Sequence, residues 1–293
     1  MLHILENDLV KACIDDFGAE IKSVIGKKTN TEYMWQADKA YWGGTAPILF
    51  PICGRLFDGK YTHQGKEYEM KIHGFARHSQ FVVLEKSNDK LLLELTSNSS
   101  TKLQYPFEFR LRLLFTLTGN VLKQNYIVFN DFEDVLPFCV GAHPGFNVPF
   151  NKDTCYDDYY LEFSNQTPNQ KLVLSGSFLS TDEYVDYVFK DNILPLKKHM
   201  FDNETYFFKS KKCSVTIKSK KVKQSLTVSY DDMLLLGLWH QEGLECPFIC
   251  IEPWAGIPST EGKVDDIMTK QAMVHLPKNQ NYTAGFSIAI NED

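Results

Sequence analysis

An all-β sandwich with few short helices is the fold class this chain predicts. Three observations carry it: apolar residues recur with period two, turn residues separate the runs, and helical periodicity is scarce. From Phe109 to Leu117 the odd positions are Phe, Leu, Leu, Phe and Leu, with Arg110, Arg112 and Thr116 between them. That is a strand with one buried face. Gly119-Asn120 supplies a tight turn, and Val121 to Asn130 reads as the partner strand of a hairpin. Val10 to Ile14 and Ile21 to Ile25 flank a second turn at Phe17-Gly18, and Phe81 to Glu85 and Leu91 to Thr96 flank a third at Asn88-Asp89. Ser214 to Lys218 and Ser225 to Tyr230 form another pair, Phe248 to Glu252 is a short apolar run, and Tyr282 to Ile290 closes the set. A turn or two of helix is expected near Ser180 to Phe189 and Val264 to Met268. Residues 151–203 are the least regular and are expected to carry long loops over one face. No repeat, low-complexity tract or flexible linker interrupts the pattern, so residues 1–293 read as one domain.

Composition narrows the function. The chain has 43% hydrophobic and 23% charged residues, enough to bury a core rather than remain disordered. The net charge of −6 argues against a nucleic-acid partner. Seven lysines do crowd Lys209 to Lys223, but Val215, Ile217 and Val222 interleave them. That spacing reads as a solvated strand face or a protected sheet edge. The seven cysteines are odd in number and scattered, without a CxxC pair, unlike a disulfide framework. The opening residues MLHILENDLVKACIDD lack the basic start and apolar run of a signal peptide, and no apolar stretch is long enough for a membrane span. A cytoplasmic location follows as the expectation.

Four segments stand out from the strand background: PILFPICGRLFDGKY around Arg55, KIHGFAR from Lys71 to Arg77, GAHPGFN around His143, and CIEPWAGIPS around Glu252. Each sets a titratable residue beside glycine or proline and an aromatic, where strands end and loops begin. Each also has a plain structural alternative. Arg55 could be a surface turn arginine, His73 a histidine satisfied by backbone, and His143 a strand terminator before proline. Glu252 is hardest to explain so, because glutamate is rarely buried without a partner, and an apolar setting is how a carboxylate becomes a usable base. The dinucleotide glycine fingerprint, the P-loop, HExxH and GxSxG are all absent. The histidines lack metal-ligand spacing, so neither metal nor cofactor is expected.

Taken together and in order, these segments resemble the aldose 1-epimerase (galactose mutarotase) family, and within it the LacX-type branch. The likeness runs nearly the whole length, through Gly18-Ala19-Glu20, Tyr33-Met34-Trp35, CGRLFDGKY, HGFAR, Tyr105-Pro106-Phe107, Pro137-Phe138, GAHPGFN and IEPW. It implies a β-supersandwich with a sugar cleft on one face of a curved sheet. It implies Glu252 as general base and His143 as general acid, His73 and Arg55 as sugar-binding groups, and Asp202, by position alone, as the hydroxyl-gripping aspartate. Gly54 stands where the galactose-specific branch has asparagine, Phe75 where it has glycine, and Gly145 where it has tyrosine. HGFAR is also similar to the hexose-6-phosphate mutarotase branch, where Arg77 with Arg55 would hold a phosphate by forked hydrogen bonds.

The implied reaction opens a pyranose ring and recloses it on the other face of C1. A base takes the C1 hydroxyl proton and an acid protonates the ring oxygen; an ionised Glu252 opposite a protonated His143 is the expected pair. Trp35, Trp239 and Trp254 are expected to stack on sugar or pack the core. The alternatives are the same chemistry on a hexose 6-phosphate, and a carbohydrate-binding or sensor sandwich without catalysis. The expected partner is a monosaccharide or sugar phosphate, with no nucleic acid and no membrane. The particular sugar and the oligomeric state stay open.

Overall fold

The computed structural model describes residues 1–164, 166–204 and 206–293. Its frame is two large sheets whose ladders are antiparallel. One sheet has nine strands, in the order Ile193–Pro195, Tyr159–Ser164, Lys212–Ser219, Ser225–Asp231, Asn281–Asn291, Val121–Phe129, Arg110–Thr118, Lys90–Thr96 and Val82–Lys86. The other runs Ser180–Asp186, Gln170–Leu174, Tyr206–Lys209, Leu235–Trp239, Phe248–Ala255, Val140–Ala142 and Ile48–Leu49, with Gly145–Asn147 paired to Phe248–Ala255 beside that path. A four-stranded sheet of Leu2–Glu6, Val10–Asp15, Glu20–Gly26 and Thr31–Glu32 stands apart. Among the described residues no helix is long and apolar enough to cross a membrane.

Period-two patterning places the core. In Arg110–Thr118 the residues Leu111, Leu113, Phe115 and Leu117 are buried, and Leu122, Tyr126 and Val128 face the same way from the partner strand. They share one apolar cluster with Leu236, Ile249 and Ile251 of the second sheet. Tyr126 also donates its hydroxyl to Gly141 O at 2.7 Å, tying the two sheets where the Val140–Ala142 strand passes.

The hairpins expected from the sequence form. Val10–Asp15 pairs with Glu20–Gly26, Val82–Lys86 with Lys90–Thr96, Arg110–Thr118 with Val121–Phe129, and Lys212–Ser219 with Ser225–Asp231. The lysine-rich strand lies inside the nine-stranded sheet, so the solvated-face reading holds and the edge reading does not. Cys213, Val215 and Ile217 are buried, while Lys212 reaches Asp231 and Lys218 reaches Glu162.

Two expectations are corrected. Ser180 to Phe189 begins as strand, with Ser180–Asp186 laddered against Gln170–Leu174, and Val264 to Met268 holds a bridge and turns. Residues 151–203, expected to carry long loops, also hold four short strands among the described residues. Among the described residues the α-helix is instead Ser99–Gln104. Asn98 starts it, accepting from Ser100 and Thr101 N–H, while Thr101 Oγ1 accepts from Asn98 N–H. Six residues are too few to show a helical period.

One loop frames the cavity described below and depends on backbone that only glycine adopts freely. His73 and Gly74 are both left-handed, with φ of 67° and 72°. The chain there folds tightly over Phe50, whose carbonyl accepts from Phe75 and Ala76 N–H. A Cβ on Gly74 would lie 2.2 Å from Phe50 O. Gly74→Ala is expected to cost about 2 kcal/mol or more in urea unfolding and to displace His73; an unperturbed stability would contradict this account.

Candidate active site

The Phe248–Ala255 strand organises the site. Its residues alternate between two buried faces, which is why the sequence shows an apolar run and not an apolar/polar alternation. Ile249 and Ile251 enter the inter-sheet core. Cys250, Glu252 and Trp254 share the opposite face by strand periodicity. Gly237 lies directly across from Glu252, and Phe207 across from Gly237. A Cβ on Gly237 would meet the Phe207 ring at 2.7 Å, so the missing side chain makes room for the ring beside Glu252.

His143 arrives from the other side. It follows the Val140–Ala142 strand, with its N–H bonded to Pro47 O, and Pro144 O accepts from Ile251 N–H. That clamps the GAHPGFN segment against the IEPW strand. The His143 Nε2 atom sits 3.3 Å from Glu252 Oε2. Trp42 stacks on the imidazole with ring centroids 4.9 Å apart, and Trp239 meets it edge-on at 5.5 Å.

His73 is the third buried polar group. Its Nδ1 accepts from Gly54 N–H at 3.1 Å. That bond puts the ring proton of the neutral tautomer on Nε2. Its ring packs edge-on against both His143 and Trp254, at 5.5 Å each. Trp254 donates its indole N–H to Ala142 O.

These groups line one cavity of about 380 Å³, within the usual range for a small-molecule site. Glu252, His143, His73, Arg55, Arg77 and Trp254, all singled out in the sequence, meet there. Among the described residues neither Arg55 nor Arg77 has an ion-pair partner. Trp239 lines the cavity as well, but Trp35 does not. Trp35 stacks on Phe248 at 4.6 Å in a separate cluster with Cys246 and Cys250.

Asp202 is corrected. It is absent from the cavity wall. Its carboxylate pairs with His199 Nδ1 at 2.9 Å and accepts from Gly243 N–H at 2.8 Å. It therefore anchors the loop that presents Gln241 and Glu242 to the cavity. Those two residues, Trp42 and Phe178 are lining groups that sequence reasoning missed. Trp42 precedes Gly43-Gly44, a loop signal without period, and Phe178 sits at a hairpin tip with φ of 59°.

The branch-specific departures have local reasons. Gly54 has φ of 75°, and a Cβ there would sit 2.6 Å from the Pro258 ring. At Gly145 a Cβ would come within 3.1 Å of Trp42 and 3.2 Å of Trp35, so a tyrosine has no room. Phe75 turns away into the aromatic group of Phe50, Tyr105 and Phe109.

Burial works against the expected ion pair. Glu252 is 1% exposed, and the Trp254 side chain gives its carboxyl only weak hydrogen-bond support. His143 Nδ1 is unpartnered among the described residues. Burial pushes Glu252 well above the usual carboxylate value of 4.5 and pulls His143 down to about 3, Arg77 adding to the latter. A buried charge pair without supporting hydrogen bonds does not repay its desolvation. Desolvation therefore favours a carboxylic acid beside a neutral imidazole, with one proton for the pair, over an ion pair. Burial, with His143, Arg77 and Arg55 close by, also holds His73 well below the usual imidazole range.

This has a consequence for stability. As pH rises past the ordinary carboxylate value of 4.5 the unfolded chain ionises Glu252, while burial keeps the folded carboxyl protonated to higher pH. The folded state then binds the extra proton, so stability falls as pH rises. Glu252→Gln removes that dependence. Its stability relative to the parent should grow by up to about 1.4 kcal/mol per pH unit until the folded carboxyl ionises. Urea unfolding at pH 7, 8 and 9 checks this; a flat difference would mean that the folded carboxyl is already ionised.

Comparison with known proteins agrees with this architecture. The aldose 1-epimerase family model matches residues 1–268. The plasmid-borne protein LacX of Lactococcus lactis is 31% identical over 271 residues, covering 89% of this chain and 90% of the relative. A galactose mutarotase related enzyme from Lactobacillus acidophilus superposes with a TM-score of 0.95 at 32% identity, covering 99% of this chain and 97% of that one. A galactose mutarotase-like protein from Lactobacillus casei does so with a TM-score of 0.93 at 31% identity, covering 99% and 100%. The chain belongs to the aldose 1-epimerase family.

Proposed function

We propose that this protein is a mutarotase, interconverting the α and β anomers of a hexose by acid–base ring opening and closing. The observation that carries the reading is the 3.3 Å contact between Glu252 and His143 on the wall of the cavity. The C1 hydroxyl oxygen and the ring oxygen are bonded to the same carbon. A base and an acid in mutual contact can therefore serve both at once.

The pair carries one proton, and that is sufficient. When a sugar displaces water, its hydroxyls offer the hydrogen bonds that Glu252 lacks, and the proton passes to His143. Glu252 then takes the C1 hydroxyl proton while His143 protonates the ring oxygen, breaking the C1–O bond. Rotation about C1–C2 and reversal of both transfers give the other anomer. His73 donates from Nε2, Arg55 and Arg77 hold hydroxyls, and Trp42 and Trp254 supply flat apolar faces. This chemistry calls for no cofactor.

Exchange NMR on aldoses tests the proposal. Glu252→Gln and His143→Asn should each lower the anomer-exchange rate by about 10² or more. Near-normal rates in both would end the reading and leave a binding or sensor role. The pH profile of kcat/KM should be bell-shaped. Activity needs the pair with one proton, so the acid limb lies well below the ordinary imidazole value and the alkaline limb well above the ordinary carboxylate value.

A second reading rests on the two unpaired arginines of the cavity wall, which suit a phosphorylated hexose. Glu242, on the same wall, opposes it. A preference for hexose 6-phosphate over free hexose that disappears in Arg77→Ala would decide for the phosphate; equal rates on both sugars decide against it.

A further inference from the structure

We propose that Cys250, Glu252 and His143 form a binding site for a thiophilic divalent cation of the zinc type, which occupies the cavity in place of a sugar. The three residues each offer one ligand atom, and these atoms all lie within 4.8 Å of one another. Cys250 and Glu252 are two apart on one strand, so the pleat sets both on the same face, and His143 is clamped opposite them. The sequence shows no metal-ligand spacing because the third ligand comes from a distant segment.

A second observation points to a ligand. Among the described residues Nδ1 of His143 is buried without a hydrogen-bond partner, and the Trp254 side chain gives the buried Glu252 carboxyl only weak support. A cation would use the carboxylate that the protein leaves weakly supported. Zinc takes nitrogen, oxygen and sulfur ligands at about 2.0–2.3 Å, so tetrahedral ligands sit about 3.5 Å apart. Side-chain rotations of about 1 Å close this site, and the cavity supplies the fourth position and the path of entry. Charge also balances. One thiolate and one carboxylate neutralise a divalent ion, leaving a buried site with no net charge; Arg55 and Arg77 oppose the ion at the cavity wall, and Glu242 favours it. On binding, the thiol proton of Cys250 leaves to solvent as the sulfur–metal bond forms.

Binding does not depend on the proposed activity; inhibition does. Isothermal titration of the full chain with zinc chloride should give one site. Cobalt(II) in its place should give the absorption of a tetrahedral thiolate complex. Cys250→Ser and Cys250→Ala should each weaken zinc at least tenfold and abolish the thiolate band, and His143→Asn should weaken it comparably. Cys155→Ser, which removes an exposed thiol, should change neither. Anomer exchange should fall with added zinc, competitively with sugar, and return with chelator. The proposal is overturned if zinc does not bind, if affinity survives both Cys250 substitutions, or if it is lost only in Cys155→Ser. Zinc binding with the stated variant pattern but no anomer exchange would leave the site standing and remove the mutarotase reading.

Discussion

The contact between Glu252 and His143 is the constraint around which the rest of the site is arranged. A carboxyl with no hydrogen-bond partner costs on the order of 1–3 kcal/mol to bury, and more if it is charged. Trp254 and His143 relieve only part of that cost. The Phe248–Ala255 strand is hydrogen-bonded on one side by Leu235–Trp239 and on the other by Val140–Ala142 and Gly145–Asn147. With both edges laddered, its backbone cannot shift to bring a donor to the carboxyl. The inter-sheet core holds the strand in place through Ile249 and Ile251. Stability built on one face of the strand thus offsets an unfavourable group on the other, as expected where function opposes stability.

Backbone strain is placed in the same way. His73, Gly74 and Gly54 all have positive φ, and His73 Nδ1 accepts from Gly54 N–H. The Gly54 carbonyl accepts from His73 N–H in return, so the two loops brace each other. The result is a histidine whose free edge is fixed by main chain alone. Phe178, also left-handed, is held differently. Its hairpin is tied to the segment after IEPW, since Ser180 N–H donates to Ser259 O and Ser180 O accepts from Glu261 N–H. Loops that leave the sheets are therefore stapled to the strand that carries Glu252.

How much of this was readable from the chain follows from where each residue lies. Hairpins such as Arg110–Thr118 with Val121–Phe129 were legible because one face is core and the other solvent, which prints an alternation. Short pieces such as Val140–Ala142 and Gly145–Asn147 were not, because three residues buried on every side show no period. At the site, Glu252, His143, His73 and Arg55 announced themselves as polar residues beside proline, glycine and aromatics. Trp42, Phe178 and Gln241 come from loops whose position is set by distant tethers, one of them the Asp202 bond to Gly243. Asp202 itself was misread because a position in sequence does not say which way a loop carboxylate turns. The desolvation of the central pair was hidden for a related reason. Opposite charges favour each other only where hydrogen bonds or water share the desolvation cost, and sequence does not reveal their lack.

The site therefore divides into parts of different kinds. The floor, made of Glu252, His143 and His73, rests on strand ladders and reciprocal main-chain bonds, and it can address any group that pairs a hydroxyl with a ring oxygen on one carbon. The rim is built by exclusion. Trp42 fills the space a side chain at position 145 would need, Pro258 fills that at position 54, and Phe207 covers Gly237. Each of these is a bulky residue set against a glycine, so a change in one partner releases space for the other without touching the ladders beneath. On the proposed mutarotase reading, specificity for the rest of the sugar is a property of those pairs and of the balance between Arg55, Arg77 and Glu242. The proton chemistry, in contrast, depends on a single desolvated contact that the rim does not make.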